Sequence, residues 1–123
     1  MKKVIIDTNA IMAIAEFGLD LFTELQKTLD FPYSLSVLEG TIQELEKIRQ
    51  EQRGKFKQAA ALGLVLLKSK RINIIKSAGA VDDLLLAFSR QGAWVLTQDS
   101  ELKQQLHKPY LTIRQKKKVV VVK

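Results

Sequence analysis

No cysteine occurs among the 123 residues, and histidine occurs once, at His107. Disulfide frameworks, thiolate zinc sites, cysteine nucleophiles and multi-histidine metal centres are thereby excluded, and a reducing, cytoplasmic setting is expected. Proline is limited to two positions and glycine to six, with no low-complexity stretch, so little of the chain is set aside for disorder. Long apolar runs are missing too. The start, Met1 to Asp7, has too few apolar residues for a signal peptide, and Ala59 to Leu67 and Val119 to Val122 are too short to span a bilayer. The expectation is a soluble protein with no membrane partner.

What is present is an ordinary globular composition, with 46% hydrophobic and 27% charged residues. A length of 123 residues fits one domain, 1–123, with one continuous core. Twenty Lys and Arg against 13 Asp and Glu give a formal charge of +7. That excess attracts polyanions, nucleic acid first among them, unless it is merely a basic surface.

Periodicity sets the order of elements. Val4 to Asp7 reads as a buried strand running through Asp7-Thr8-Asn9 into a helix, which Gly18 interrupts. Leu21, Phe22, Leu25 and Leu29 share one face of a second helix, and Pro32 precedes a short strand at Tyr33 to Val37. Leu38, Ile42, Leu45 and Ile48 mark an amphipathic helix over Glu39 to Gln50. A basic link, Gln50 to Lys57, joins it to an apolar helix, Phe56 to Lys68, forming a helical hairpin. Ile72 to Ile75, Trp94 to Thr97 and Tyr110 to Arg114 read as strands, separated by helices at Val81 to Gln91 and Asp99 to Leu106. Alternation of this kind predicts a three-layer α/β/α sandwich around a mainly parallel sheet of four to five strands.

In such sheets ligands bind beyond the carboxyl ends of the strands. Asp7, Asp82 with Asp83, and Asp99 all follow strands at that edge, and Glu44 sits in the first turns of a helix that starts there. Crowded carboxylates repel, so four of them are stable as anions only with cations between them. With no Cys or His to help, the cation should be hard, Mg²⁺ or Mn²⁺.

Four segments carry a resemblance: Val4-Ile5-Ile6-Asp7-Thr8-Asn9, Thr41-Ile42-Gln43-Glu44-Leu45, Val81-Asp82-Asp83-Leu84-Leu85, and Val95 through Leu102. In order and spacing they resemble the motifs of PIN-domain nucleases across nearly the whole chain. The resemblance implies metal ligands at Asp7, Asp82 and Asp99, and an acid at Glu44 that binds metal or orients water. It implies supporting roles for Asn9 and Thr97, and a metal-dependent endoribonuclease that leaves the phosphate on the 5′ side of the new end. Asp83 is the second acid that fits the third motif. The ending Tyr110 to Lys118 looks more like PIN proteins of small-subunit ribosomal RNA processing than like toxin-type members. On that reading the partner is precursor rRNA; in the toxin branch it would be a small antitoxin, and a non-catalytic RNA-binding module is the remaining alternative. Whether the chain forms a homodimer is left open.

Singly, Asp7, Asp82 and Asp99 are each good helix caps and Glu44 a solvated helix charge; a shared sheet edge is what capping does not explain. Lys47, Arg49, Arg53, Lys55 and Lys57, on the helical hairpin near Glu44, are expected to contact RNA phosphates. Arg114, Lys116, Lys117 and Lys118 fit either an RNA-guiding strip or lysines that protect an edge strand.

Overall fold

Val4, Ile5 and Ile6 are all fully buried, which requires a strand covered on both faces. The computed structural model, which describes residues 1–123, shows how. β1 (Lys2–Ile6) leads into α1 (Thr8–Phe17) and α2 (Leu21–Thr28), then β2 (Tyr33–Leu38), α3 (Glu39–Glu51) and α4 (Gly54–Ser69). β3 (Asn73–Ile75), α5 (Val81–Arg90), β4 (Trp94–Leu96), α6 (Ser100–Gln105), β5 (Tyr110–Arg114) and β6 (Lys118–Val122) follow. The sheet order is β3-β2-β1-β4-β5-β6. The pairings from β3 across to β5 are all parallel, and β6 alone is antiparallel, against β5.

Strand alternation divides the interior in two. Val4, Ile6, Val37, Leu96 and Leu111 face a core completed by α1, α2 and the α3–α4 hairpin. Ile5, Leu38, Val95 and Tyr110 face a smaller one completed by Leu85 of α5 and by Leu102 and Leu106 at α6. These are the three layers that the sequence leads one to expect.

Two details differ. The sheet has six strands rather than four or five, because the closing valines fold back on β5, pairing Tyr110 with Val122 through to Arg114 with Lys118. The turn between them uses Gln115 and Lys116 at φ of 57° and 59°, without the glycine that usually announces such a hairpin. The basic strip Arg114 to Lys118 is thus a turn with short flanks, and β6, not β5, is the edge strand. The link expected over Gln50 to Lys57 shrinks to Gln52 and Arg53, as helix invades it from both sides.

α4 packs on α1 at Gly63, where an added Cβ would stand 2.6 Å from Cγ2 of the fully buried Ile11. A β-branched side chain in a close-packed core has little room to yield. Gly63→Ala is therefore expected to destabilise the protein by about 1–3 kcal/mol through overpacking, less the roughly 1 kcal/mol that alanine returns in helix propensity. The net effect, about 0–2 kcal/mol, is a melting temperature lower by up to several degrees in a thermal melt; a higher one would contradict this packing.

Candidate active site

β1 and β4 lie side by side, yet the chain proceeds from them in opposite directions, β1 toward β2 and β4 toward β5. Loops leaving their carboxyl ends diverge and frame a crevice at this switch point. Asp7 follows β1, and Thr97, Gln98 and Asp99 follow β4. The Asp7 N–H donates to the Leu96 carbonyl at 2.9 Å, pinning the two strand ends together.

Asp7 is the N-cap of α1 and only 4% exposed. Its Oδ1 accepts from the Thr8 N–H at 2.8 Å and its Oδ2 from the Thr97 hydroxyl at 2.7 Å. It takes part in none of the ion pairs of the protein. Burial pushes its carboxyl above the usual aspartate value, against the pull of those two hydrogen bonds, and the nearby Asp82 and Glu44 charges push it further. A carboxylate with two engaged oxygens still has a lone pair free on each.

Glu44 reaches toward Asp7 from α3, its Oε1 accepting from the Thr8 hydroxyl at 2.6 Å. Thr41 Oγ1, fully buried, lies 3.4 Å from the same hydroxyl. Glu44 and Asp82 line one cleft of about 460 Å³, with Gly40, Lys47 and Gly79 among its other walls. The starts of α3 and α5 come close here because Gly40 has no side chain: a Cβ would stand 2.8 Å from Val81 Cγ2. Asp82 is not a cap; α5 is preceded by Ala80 and has no side-chain capping bond. Asp82 and Asp83 are both exposed, but Asp83 does not line the cleft.

Asp99 is placed differently. Its Oδ1 caps α6, accepting from the N–H groups of Glu101 at 2.9 Å and Leu102 at 3.3 Å. Its charge is felt at Lys103, which burial and the neighbouring Arg114 hold below the ordinary lysine range while Asp99 opposes them. As the side chains stand, no three acidic groups are close enough to hold one metal ion directly. The charges of Glu44 and Asp82 act on Asp7, while Asp99 is linked to it through Thr97, whose hydroxyl accepts from the Asp99 N–H and donates to Asp7.

The residues nonetheless fit a hard divalent cation. The donors are all oxygen, the central one is buried beside two like charges with no cationic partner, and Mg²⁺ commonly retains waters between itself and its carboxylates.

A hydrogen-bonded web fixes the loop after β4. Thr97 Oγ1 accepts from the Asp99 N–H at 3.1 Å and lies 3.3 Å from Asn9 Oδ1, which accepts from the Gln98 N–H at 2.9 Å. The Gln98 amide accepts from Thr112 Oγ1 at 2.8 Å and the Ile113 N–H at 2.7 Å, and donates to the Ile113 carbonyl at 3.1 Å. Asn9 and Thr97, for which supporting roles are expected, both belong to this web. Thr8, Gln98 and Lys103 were not singled out for such roles. The signals were present: Thr8 sits inside Asp7-Thr8-Asn9, Gln98 precedes Asp99, and Lys103 lies one helical turn beyond Asp99.

Among the expected RNA-contacting residues, Lys47 lines the acidic cleft. Arg49 does not line it and is paired with Glu46, its Nη2 at 2.7 Å from Oε2. Arg53, Lys55 and Lys57 are exposed around the α3–α4 junction, with Lys55 Nζ 3.9 Å from Glu16 Oε1. Because β5 is parallel to β4, Arg114 and the turn holding Lys116 and Lys117 lie at the carboxyl edge, the same edge as Asp7, and Lys118 opens β6.

The sequence model of the PIN-like domain family matches residues 4–116. The chain belongs to the PIN-like domain family. It is 27% identical over 123 residues to ribonuclease VapC4 of Methanocaldococcus jannaschii, spanning 95% of this chain and 94% of that protein. It is 30% identical over 105 residues to ribonuclease VapC9 of Archaeoglobus fulgidus, spanning 85% of this chain and 75% of that one. The solved structure of the PIN domain endonuclease Utp24 is similar with a TM-score of 0.74 at 26% identity, over 97% of this chain and 90% of that chain. The α/β fold expected from the sequence is borne out.

The raised Asp7 value has a consequence for stability. For an acid whose native value lies above the unfolded 3.8, the favourable contribution is complete below 3.8 and is lost as pH rises through the native value. Asp7→Asn, which keeps an acceptor for Thr8 but carries no charge, is therefore expected to melt above the wild type at pH 7 in chelator. Thermal melts at decreasing pH should show that margin narrowing; a margin that widens toward acid would contradict the uncompensated burial of this carboxylate.

Proposed function

We propose that the protein is a divalent-metal-dependent endoribonuclease, one PIN-like domain over residues 1–123, whose working centre is Asp7 with Glu44 and Asp82. The observation that supports this most is the Asp7 carboxylate itself: buried, without a cationic partner, and repelled by the other two acids. A divalent cation, when bound, lowers the pKa of a water and neutralises charge on a phosphodiester. Either Mg²⁺ or Mn²⁺ suits the oxygen donors. Asp7 and Asp82 would hold it, with Glu44 binding it or orienting the attacking water.

The remaining groups orient and collect. Thr97 and Thr8 hold both oxygens of Asp7 in place and engage Oε1 of Glu44, so that a lone pair on each Asp7 oxygen and the Oε2 of Glu44 are what remain for a ligand. Asp99, capping α6 at the edge of the crevice, joins the centre only if its second oxygen turns toward Asp7. Lys47, at the rim of the cleft, and the half-buried Lys103 beside Arg114 are the cations best placed for the phosphates, with the exposed lysines of the hairpin adding long-range attraction. Asp82 rather than Asp83 is the acid of the third motif, since it alone of the two lines the cleft.

Precursor rRNA as the substrate rests on the basic ending Tyr110 to Lys118. The names of the two ribonuclease relatives favour a second reading, a toxin-type enzyme restrained by an antitoxin; growth arrest on expression, relieved by a short neighbouring gene product, would select it. A cytoplasmic location accords with the absence of cysteine and of any helix long and apolar enough to cross a membrane.

The test is cleavage of labelled RNA with Mg²⁺, Mn²⁺ or chelator. Asp7→Asn is expected to lower the rate by roughly 100-fold or more, and Thr97→Val, which removes a supporting hydrogen bond, by about 10- to 100-fold. Cleavage that ignores the chelator or survives Asp7→Asn would remove the proposal.

A further inference from the structure

Phe56, in the first turn of α4, is 53% exposed. Its ring is shared by two hollows. One, of about 300 Å³ between α1 and α4, is lined by Phe17, Lys55, Phe56, Asn9 and Gln98 together with the acid Glu16, whose Oε1 lies 3.9 Å from Lys55 Nζ. The other, of about 350 Å³, is walled by Met12, Ile48, Gln52 and Phe56. Asn9 and Gln98 connect the first hollow to the acids, because Asn9 Oδ1 lies 3.3 Å from the hydroxyl of Thr97, the same hydroxyl that holds Asp7.

Each ring in this hollow carries an ammonium. Lys55 Nζ lies 5.7 Å from the Phe56 centroid, and Lys116 Nζ, from the β5–β6 turn, lies 5.7 Å from that of Phe17. Arg53 and Lys57 are exposed beside Phe56. Aromatic faces interleaved with cations match what a nucleotide presents, a flat π-face next to a phosphate. Four cations, Arg53, Lys55, Lys57 and Lys116, border these rings against one acid in the lining, Glu16, a surplus that suits a phosphate-bearing strand better than an uncharged apolar segment.

We propose that the hollow between α1 and α4 is a stacking subsite for an unpaired RNA base, with the Phe56 ring as its platform and Lys55 and Lys116 meeting the adjoining phosphates. This rests on the ribonuclease reading and places one unpaired nucleotide of the substrate beside the acids. The chain's one tryptophan does not serve in this way: Trp94 is packed edge-on against Phe31 at 5.1 Å.

The experiment measures the affinity of the full chain for fluorescein-labelled single-stranded RNA by anisotropy, in chelator so that no cleavage intervenes. Phe56→Ala is expected to weaken binding on the order of 10-fold, and Phe56→Trp to retain it while its emission is quenched by the stacked base. An RNA of the same length made abasic throughout should bind wild type and Phe56→Ala alike. Equal affinity of wild type and Phe56→Ala for ordinary RNA would overturn the subsite, as would an equal loss on abasic RNA. Sedimentation showing that Phe56→Ala dissociates a dimer while RNA affinity stays unchanged would assign the hollow to a second copy of the chain and also overturn it. Cleavage, scored separately with Asp7→Asn, separates the two readings. Metal-dependent cleavage with an indifferent Phe56 removes only the subsite. Phe56-dependent binding without metal-dependent cleavage removes only the nuclease.

Discussion

A carboxylate that has lost its water and found no positive partner is the constraint around which this end of the molecule is arranged. Asp7 cannot move outward without giving up the first turn of α1, which it caps, or the hydroxyl of Thr97 that joins it to β4. Burying an ionised group without compensation is among the most unfavourable things a fold can do. Here the neighbours worsen the position, since Glu44 is drawn in through Thr8 and Asp82 is delivered by the close approach of α3 and α5 at Gly40. Such an arrangement persists when the rest of the fold over-determines it, and it is stabilised by whatever cation enters.

The fold supplies that determination through backbone and hydroxyl contacts rather than ion pairs. Asn9, Thr97 and Gln98 stitch β1, the β4 loop and β5 into one piece, with Gln98 alone making three side-chain bonds to Thr112 and Ile113. Asp7 is thereby held by hydroxyl and backbone groups and takes part in no ion pair. Positive charge is displaced to the rim, at Lys47, the α3–α4 junction and the β5–β6 turn. A polyanion is attracted by the rim and meets negative charge at the centre, so a cation is needed before the two can touch.

Much of this was legible from the residues. The run Val4 to Ile6 could only be a strand covered on both faces, and the spacing of Leu38, Ile42, Leu45 and Ile48 fixed the helix that carries Glu44. Patterns of that kind report burial, which is local and periodic. What escaped is what depends on partners far along the chain or on rotamers. β6 was hidden because its turn uses Gln115 and Lys116 in left-handed backbone, where glycine or asparagine would be the signal. Arg49 pairs with Glu46, one helical turn away, and is not among the residues lining the cleft; the choice between that partner and a phosphate is invisible in sequence. The helix cap made by Asp99 is also a matter of rotamer: its Oδ1 is engaged by the N–H groups of Glu101 and Leu102, a local bond with little entropic cost.

The account stands or falls on whether the pocket around Asp7 takes up a divalent cation. Calorimetric titration of the chelator-stripped protein with Mn²⁺ at neutral pH measures this without reference to any substrate. Saturable uptake by the wild type, lost or greatly weakened in Asp7→Asn with the fold intact, is the predicted result. Indistinguishable isotherms for the two proteins, or no uptake by either, would contradict it.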